Sequence, residues 1–78
     1  MDDIELKVTK IIAEYLNVKE DSFSHHDKFS DLGADSLDAV ELIMAVEDAF
    51  GVEVTDEETQ LLITTNAVVE LLRSKLTK

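Results

Sequence analysis

The sequence predicts an all-α fold: a small four-helix bundle, with three longer helices, one short helix and a long loop between helices 1 and 2. Three observations support this. Apolar residues recur with a helical period of 3.6 in separate stretches of the 78-residue chain. No proline interrupts these stretches, and Gly51 stands where the second one ends. The chain is also near the lower size at which one core suffices, so residues 1–78 are expected to form a single domain.

The first helix is expected over residues 3–16. Its apolar face consists of Ile4, Val8, Ile11, Ile12 and Tyr15. Asp2 and Asp3 are suitable caps, because carboxylates favour the positive end of a helix dipole. Tyr15 is expected at the edge of the core with its hydroxyl in water.

A long loop is expected over residues 17–35, and a loop of this length is unusual in a compact domain. Its apolar anchors, expected to pin it over the bundle, are Phe23, Phe29 and Leu32. The loop also contains His25 and His26. Because a metal site needs more convergent ligands, both are interpreted as solvated loop residues.

The end of this loop delivers Ser36 to the first turn of a second helix, expected over residues 36–50. Gly33 suits a turn with positive φ. Asp35 is a good N-cap, and Asp38 resembles the reciprocal partner of a capping box. Ser36 then occupies the first helical position, where free N–H groups and the helix dipole favour a phosphate.

The second helix carries two apolar stripes on opposite sides. The broader stripe, expected to face the core, is Ala39, Leu42, Ile43, Val46 and Phe50. The second stripe is Leu37, Val40 and Met44, flanked by Glu41, Glu47 and Asp48. So small a domain cannot easily bury both, and an exposed apolar stripe rimmed by charge is typical of a docking surface. Packing of the second stripe under the long loop is the alternative, and the pattern alone does not decide between them.

A short third helix is expected after an extended link at residues 52–54. Thr55 or Asp56 can cap it, and Leu61 and Leu62 are expected to turn inward.

The last helix is expected over about residues 66–76. Its candidate caps are Thr64, Thr65 and Asn66. Its apolar stripe is Val68, Val69, Leu71, Leu72 and Leu76. Its basic residues, which complement the negative helix end, are Arg73, Lys75 and Lys78.

The net charge of −11 is concentrated in one block. Residues 31–60 hold ten acids and no lysine or arginine, so they supply −10 of the −11. Nucleic acid is therefore not expected as a partner, whereas a basic protein surface is. Self-repulsion predicts a fold that salt and divalent cations stabilise. Loose divalent binding remains open for two carboxylate groups, namely Asp31, Asp35 and Asp38, or Glu47, Glu53 and Asp56.

Several classes of protein do not fit the composition. The absence of cysteine excludes disulfides and thiolate metal sites. No apolar run reaches the ~20 residues of a membrane span, and the first residues do not resemble a signal or transit peptide. The acids do not fit EF-hand spacing, so no dedicated metal site is expected. A cytoplasmic monomer is expected, and an organelle matrix is the alternative location if a leader has been removed.

Catalysis by Ser36 would need an oriented general base, which His25 and His26 do not obviously provide, so the chain is not expected to be an enzyme. A small hydrolase using Ser36 remains one alternative. Another is an acidic protein-interaction adaptor, or a divalent-metal-responsive helical module, without a prosthetic group.

The segment Leu32-Gly33-Ala34-Asp35-Ser36-Leu37-Asp38, followed by Val40-Glu41-Leu42, resembles the attachment motif of acyl carrier proteins of the fatty-acid-synthesis type. The resemblance extends through Met44, Glu47, Phe50, Gly51 and Val54 to Asp56-Glu57-Glu58 and Ile63-Thr64-Thr65. With the pattern of the first helix, it covers essentially the whole chain.

The resemblance implies that Ser36 receives 4′-phosphopantetheine from coenzyme A through a separate, magnesium-dependent phosphopantetheinyl transferase, with Asp35 helping to hold the metal and the serine. The prosthetic thiol would carry acyl chains as thioesters between fatty acid synthesis enzymes with basic docking patches. The implied partner-binding residues are Leu37, Asp38, Val40, Glu41, Met44, Glu47 and Asp48. The implied lining of the acyl chain, between the helices, includes Val46, Leu62 and Leu71.

The last third of the chain departs from the family pattern. Its third helix is less charged and more apolar than usual, and Thr55 stands where proline is frequent. Asn66 stands where an apolar residue is common, and Leu71 lies near a usual aromatic. Different packing is therefore expected there.

Overall fold

A computed structural model describes residues 3–76 of the chain. This part contains four α-helices: α1 (Asp3–Leu16), α2 (Ser36–Phe50), α3 (Asp56–Leu61) and α4 (Thr65–Leu76). The predicted fold class, with three longer helices and one short one, is confirmed. The loop between α1 and α2 contains one element that was not predicted, a 3₁₀ helix at Phe29–Leu32. Within residues 3–76 the only β-type pairing is an isolated bridge between Lys28 and Thr64.

The helix ends follow the predicted local chemistry. Gly33 and Gly51 have φ values of 94° and 66°, the left-handed conformation that glycine adopts without steric cost. α4 begins one residue earlier than predicted, and Thr64 is its cap, because the Thr64 hydroxyl oxygen accepts the Ala67 N–H at 3.1 Å. The cap expected from Asp2 and the charge expected from Lys78 lie outside the described residues.

The core lies between α1, α2 and α4, with α1 packed against both of the others. The buried residues of this core are Val8, Ile12, Phe29, Leu42, Ile43, Val46, Leu62, Val68, Val69 and Leu72. Ala39 and Phe50 of the broader stripe are half-buried, and Tyr15 is half-exposed at the edge, as predicted. Among the described residues, no helix is long and apolar enough to cross a membrane.

Two leucines are more exposed than predicted. Leu61 is 74% exposed, whereas its neighbour Leu62 is buried. α3 ends at Leu61, and Leu62 follows it with a φ of −88° and a ψ of 72°, outside helical geometry, so the two side chains point in different directions. Leu76 is 44% exposed because it stands one turn beyond Leu72, the last buried residue of α4.

The loop between α1 and α2 is held down along its length. Its predicted anchors all contact the core, with Phe29 buried and Phe23 and Leu32 half-buried. The Phe29 N–H also donates to the Ile63 carbonyl oxygen at 2.9 Å. The loop therefore packs as a strap against the connection between α3 and α4.

No residue of α3 itself is buried. The helix is held at its start by a capping box in which Thr55 and Glu58 bond reciprocally. It is held at its end by Leu62, which enters the core.

Candidate functional site

The junction of the long loop with α2 is a complete capping box. The Asp38 N–H donates to Asp35 Oδ1 at 2.8 Å, and the Asp35 N–H donates to Asp38 Oδ2 at 3.2 Å. The predicted roles of Asp35 and Asp38 at the helix start are therefore confirmed.

This capping box leaves two backbone donors available. Four backbone N–H groups at the start of α2, those of residues 35–38, cannot bond within the helix. The capping box satisfies those of Asp35 and Asp38, whereas those of Ser36 and Leu37 have no acceptor among residues 3–76. The Ser36 side chain is exposed at the same place. An anionic group attached to its hydroxyl would lie beside two free donors at the positive end of the helix dipole.

Ser36 stands on the wall of an open groove of about 500 Å³. The groove is lined by the loop (Phe29, Ser30, Ala34, Asp35), by α2 (Ser36, Ala39, Val40) and by α3 with the residues that follow it (Thr59, Gln60, Leu62, Ile63). Most of these side chains are apolar or small. The groove therefore offers a largely apolar path that starts at the serine.

The residues predicted to line the acyl chain lie in different places. Of the three residues predicted, only Leu62 lines the groove. Val46 is buried in the core, and Leu71 lines a separate groove of about 440 Å³ that shares Leu62. The sequence carried a signal for Ala39 and Val40, which follow Ser36 by three and four residues and so share its helix face.

The second stripe of α2 is exposed, which decides between the two interpretations left open by the pattern. Leu37, Val40 and Met44 are 64%, 44% and 58% exposed. The acidic residues around them divide into exposed Glu41 and Asp48 and half-buried Asp38 and Glu47. The stripe is thus an apolar surface bordered by carboxylates rather than a layer packed under the loop.

The carboxylates do not assemble into a metal site in residues 3–76, where no three His, Cys, Asp or Glu residues are placed to hold an ion. Neither candidate set, Asp31 with Asp35 and Asp38 or Glu47 with Glu53 and Asp56, forms such a group. At the junction the reason is geometric, because Asp35 and Asp38 each turn a carboxylate oxygen to a backbone N–H.

The two histidines differ from each other, which corrects their interpretation as a solvated pair. His26 is exposed, as predicted. His25 is half-buried against α1, with Nε2 3.1 Å from Thr9 Oγ1.

Comparison with known proteins identifies the family. Residues 7–72 match the family model described as a phosphopantetheine attachment site. The structure is similar to that of an acyl carrier protein from Enterococcus faecalis, with a TM-score of 0.78 and 32% identity over 92% of both chains. It is also similar to an acyl carrier protein from Thermotoga maritima, with a TM-score of 0.77 and 27% identity over 91% of this chain and 84% of that one.

These matches distinguish between the classes that the sequence left open. Proteins of the matched family bear phosphopantetheine covalently on a serine and are carriers rather than enzymes. Such a carrier binds acyl chains and the enzymes that synthesise them. Nothing in the comparisons supports an adaptor or a hydrolase. With 66 of its 78 residues inside the matched region (7 to 72 inclusive), the chain belongs to the phosphopantetheine-bearing family of acyl carrier proteins.

Proposed function

We propose that Ser36 is the serine that bears 4′-phosphopantetheine and that the chain delivers acyl thioesters to the enzymes of fatty acid synthesis. The observation that carries the proposal is the position of Ser36. Ser36 is exposed and is the first residue of α2. It lies beside two free backbone N–H groups and on the wall of the 500 Å³ groove.

The residues around Ser36 fit this prosthetic group. The N–H groups of Ser36 and Leu37 are placed to donate to a phosphodiester. The groove offers apolar contacts from Ala39, Val40 and Leu62 to the arm and to the acyl group that follows it. When bound, the group supplies a thiol for thioester formation, which the chain itself lacks because it has no cysteine.

Asp35 is proposed to assist the attachment step. Its Oδ1 accepts a hydrogen bond from the Asp38 N–H, whereas its Oδ2 accepts none from residues 3–76. That oxygen is available to a magnesium ion held by a phosphopantetheinyl transferase. Asp35 therefore has two roles in the proposal, one in the cap and one in transfer.

The exposed stripe of α2 is proposed as the docking surface for the transferase and for the synthesis enzymes. Leu37, Val40 and Met44 form its apolar centre. Its acidic rim, which would face basic patches on the partners, is Asp38, Glu41, Glu47 and Asp48. An apolar centre with a charged rim is the usual anatomy of such interfaces. The monomeric state, the cytoplasmic location and the organisation of residues 1–78 as one domain stay predictions.

The attachment is tested by intact mass after incubation with coenzyme A, magnesium and a phosphopantetheinyl transferase. Wild type and Ser30→Ala are expected to gain one phosphopantetheine, and Ser36→Ala none. Ser30 is a matched control because its side chain is also exposed and lines the same groove. A gain on Ser36→Ala, or no gain on wild type with a transferase active on a control carrier, would overturn the assignment.

A further inference from the structure

We propose that His25 is a positioning residue that fastens the loop between α1 and α2 to the helical bundle and so sets the loop wall of the groove beside Ser36. The proposal rests on contacts that the carrier function does not itself explain. His25 joins three parts of the fold, because it belongs to the loop, its side chain contacts α1 and its backbone contacts α4.

The backbone contact is made at the start of α4, where the Asn66 N–H donates to the His25 carbonyl oxygen at 2.9 Å. A few residues later the loop is tied to the connection before α4 by the Lys28–Thr64 bridge and by the Phe29 N–H bond to Ile63. His25 is therefore the first of the successive hydrogen-bonded points that tie the strap to α4 and to the connection before it.

The side-chain contact fixes which imidazole nitrogen carries the proton. The Thr9 hydroxyl donates its single hydrogen to the Glu5 carbonyl oxygen at 2.7 Å. At its 3.1 Å contact with His25, the Thr9 oxygen can therefore only accept, so Nε2 must be the donor. The neutral imidazole is then the Nε2–H form, with a bare lone pair on Nδ1.

That lone pair faces a carboxylate. His25 Nδ1 lies 3.9 Å from Glu5 Oε2, and the other oxygen of Glu5 is 2.6 Å from a guanidinium nitrogen of Arg73. The charged groups at this point are thus Glu5 from α1 and, through Glu5, Arg73 from α4.

The fastening bears on the serine through the strap. Phe29, Ser30 and Ala34 form the loop wall of the groove, and Asp35 follows directly as the cap of α2. A loosened strap would move that wall away from α2 and α3, which would widen the groove and displace the cap that precedes Ser36. This last step rests on the proposed function of Ser36, whereas the fastening itself does not.

The matched control is the neighbouring histidine. His25→Gln and His26→Gln each remove one imidazole at adjacent positions, and among the described residues only the imidazole of His25 bonds to α1. At pH 8 the melting temperature of His25→Gln is expected to lie roughly 2–4 °C below that of His26→Gln, the size expected for a partly exposed contact in so short a chain. Equal melting temperatures of the two variants would overturn the proposal.

A second measurement uses the unmodified sequence, so it does not depend on the folding of a variant. Nitrogen-15 NMR of the imidazoles is expected to show the Nε2–H form of His25 at pH 8. A neutral Nδ1–H form would contradict the assigned hydrogen bonds and overturn the proposal.

The effect on the serine is measured by the initial rate at which a phosphopantetheinyl transferase loads each variant. His25→Gln is expected to load more slowly than His26→Gln. Equal rates would overturn the positioning role. Failure of wild type to load would instead refute the assignment of Ser36, and the melting and NMR results would still decide the fastening.

Discussion

Lys75 Nζ lies 3.1 Å from Glu58 Oε1 and so connects the last turn of α4 to the first turn of α3. The same carboxylate oxygen accepts the Thr55 N–H at 3.0 Å. The Thr55 backbone bond, and then Lys75, hold the pKa of Glu58 below its ordinary value of 4.5. The Glu58 side chain therefore takes part in the capping box of α3 and also links α3 to α4.

The lowered pKa of Glu58 predicts a pH-dependent contribution to stability. A depressed folded-state pKa stabilises the fold above the unfolded value, and this contribution is lost as the pH falls through the folded-state pKa. Glu58→Gln is therefore expected to be less stable than wild type at pH 7, with the gap closing below about pH 4.5. Thermal unfolding across this pH range is the measurement. Glu57→Gln, in the same turn, is the control, and the same closing gap in both variants would refute the prediction.

The capping box at Asp35 should contribute measurably to stability. Asp35→Ala removes the acceptor for the Asp38 N–H and is expected to cost about 1 kcal/mol. Asp48→Ala, also an exposed acid but within α2, removes the same charge without a cap. Urea denaturation of both variants separates the two effects. Equal midpoints would show that the cap contributes nothing beyond its charge.

Two buried threonines should respond in opposite directions to the same change. The Thr65 hydroxyl is fully buried and has no partner among the described residues, whereas the Thr9 hydroxyl donates to Glu5. Thr65→Val is therefore expected to stabilise the fold by about 1 kcal/mol, and Thr9→Val to destabilise it by a similar amount. Thermal or urea unfolding measures both. A loss of stability in Thr65→Val would show that its hydroxyl is satisfied in solution.

Substitutions in the two stripes of α2 should have different effects, one on the stability of the fold and the other on partner binding. Leu42→Ala, in the core, is expected to cost about 2–5 kcal/mol of unfolding free energy. Leu37→Ala, on the exposed stripe, should change that free energy by less than about 0.5 kcal/mol while weakening association with a synthesis enzyme. Denaturation and a binding titration give the two values. Unchanged binding by Leu37→Ala and Met44→Ala together would remove the stripe from the docking surface.

Ionic strength should stabilise this chain. With −10 of its charge in residues 31–60, screening of repulsion is expected to raise the melting temperature as sodium chloride increases towards about 0.1 M, where the screening length is near 10 Å. Calorimetry at a fixed pH tests this. A melting temperature indifferent to salt would contradict the expectation.

The parts of the fold that the sequence predicted well depend on local chemistry. Gly33, Asp35 and Gly51 act on residues within one turn of themselves, so their type and spacing were enough to locate both ends of α2. The helical period likewise separated the buried stripe from the exposed one. Local capping rules therefore placed Ser36 before any tertiary contact was known.

The features that the sequence could not predict depend on distant partners. Which apolar residues border the groove beside Ser36 depends on where the strap and α3 lie on α2. His25 was interpreted as solvated because its partners, Glu5 and Thr9, lie far away in sequence and on another element. A single sequence carries no signal for such pairings.

The absence of any buried residue within α3 has a consequence for substitutions in this helix. Because the core is completed by Leu62 after the helix ends, changes at the exposed positions of α3 that take no part in its capping box are expected to carry little folding penalty. The exposed Leu61 shows that even a large apolar side chain is accommodated there without a place in the interior. The outward face of α3 can therefore take new side chains without loss of the bundle.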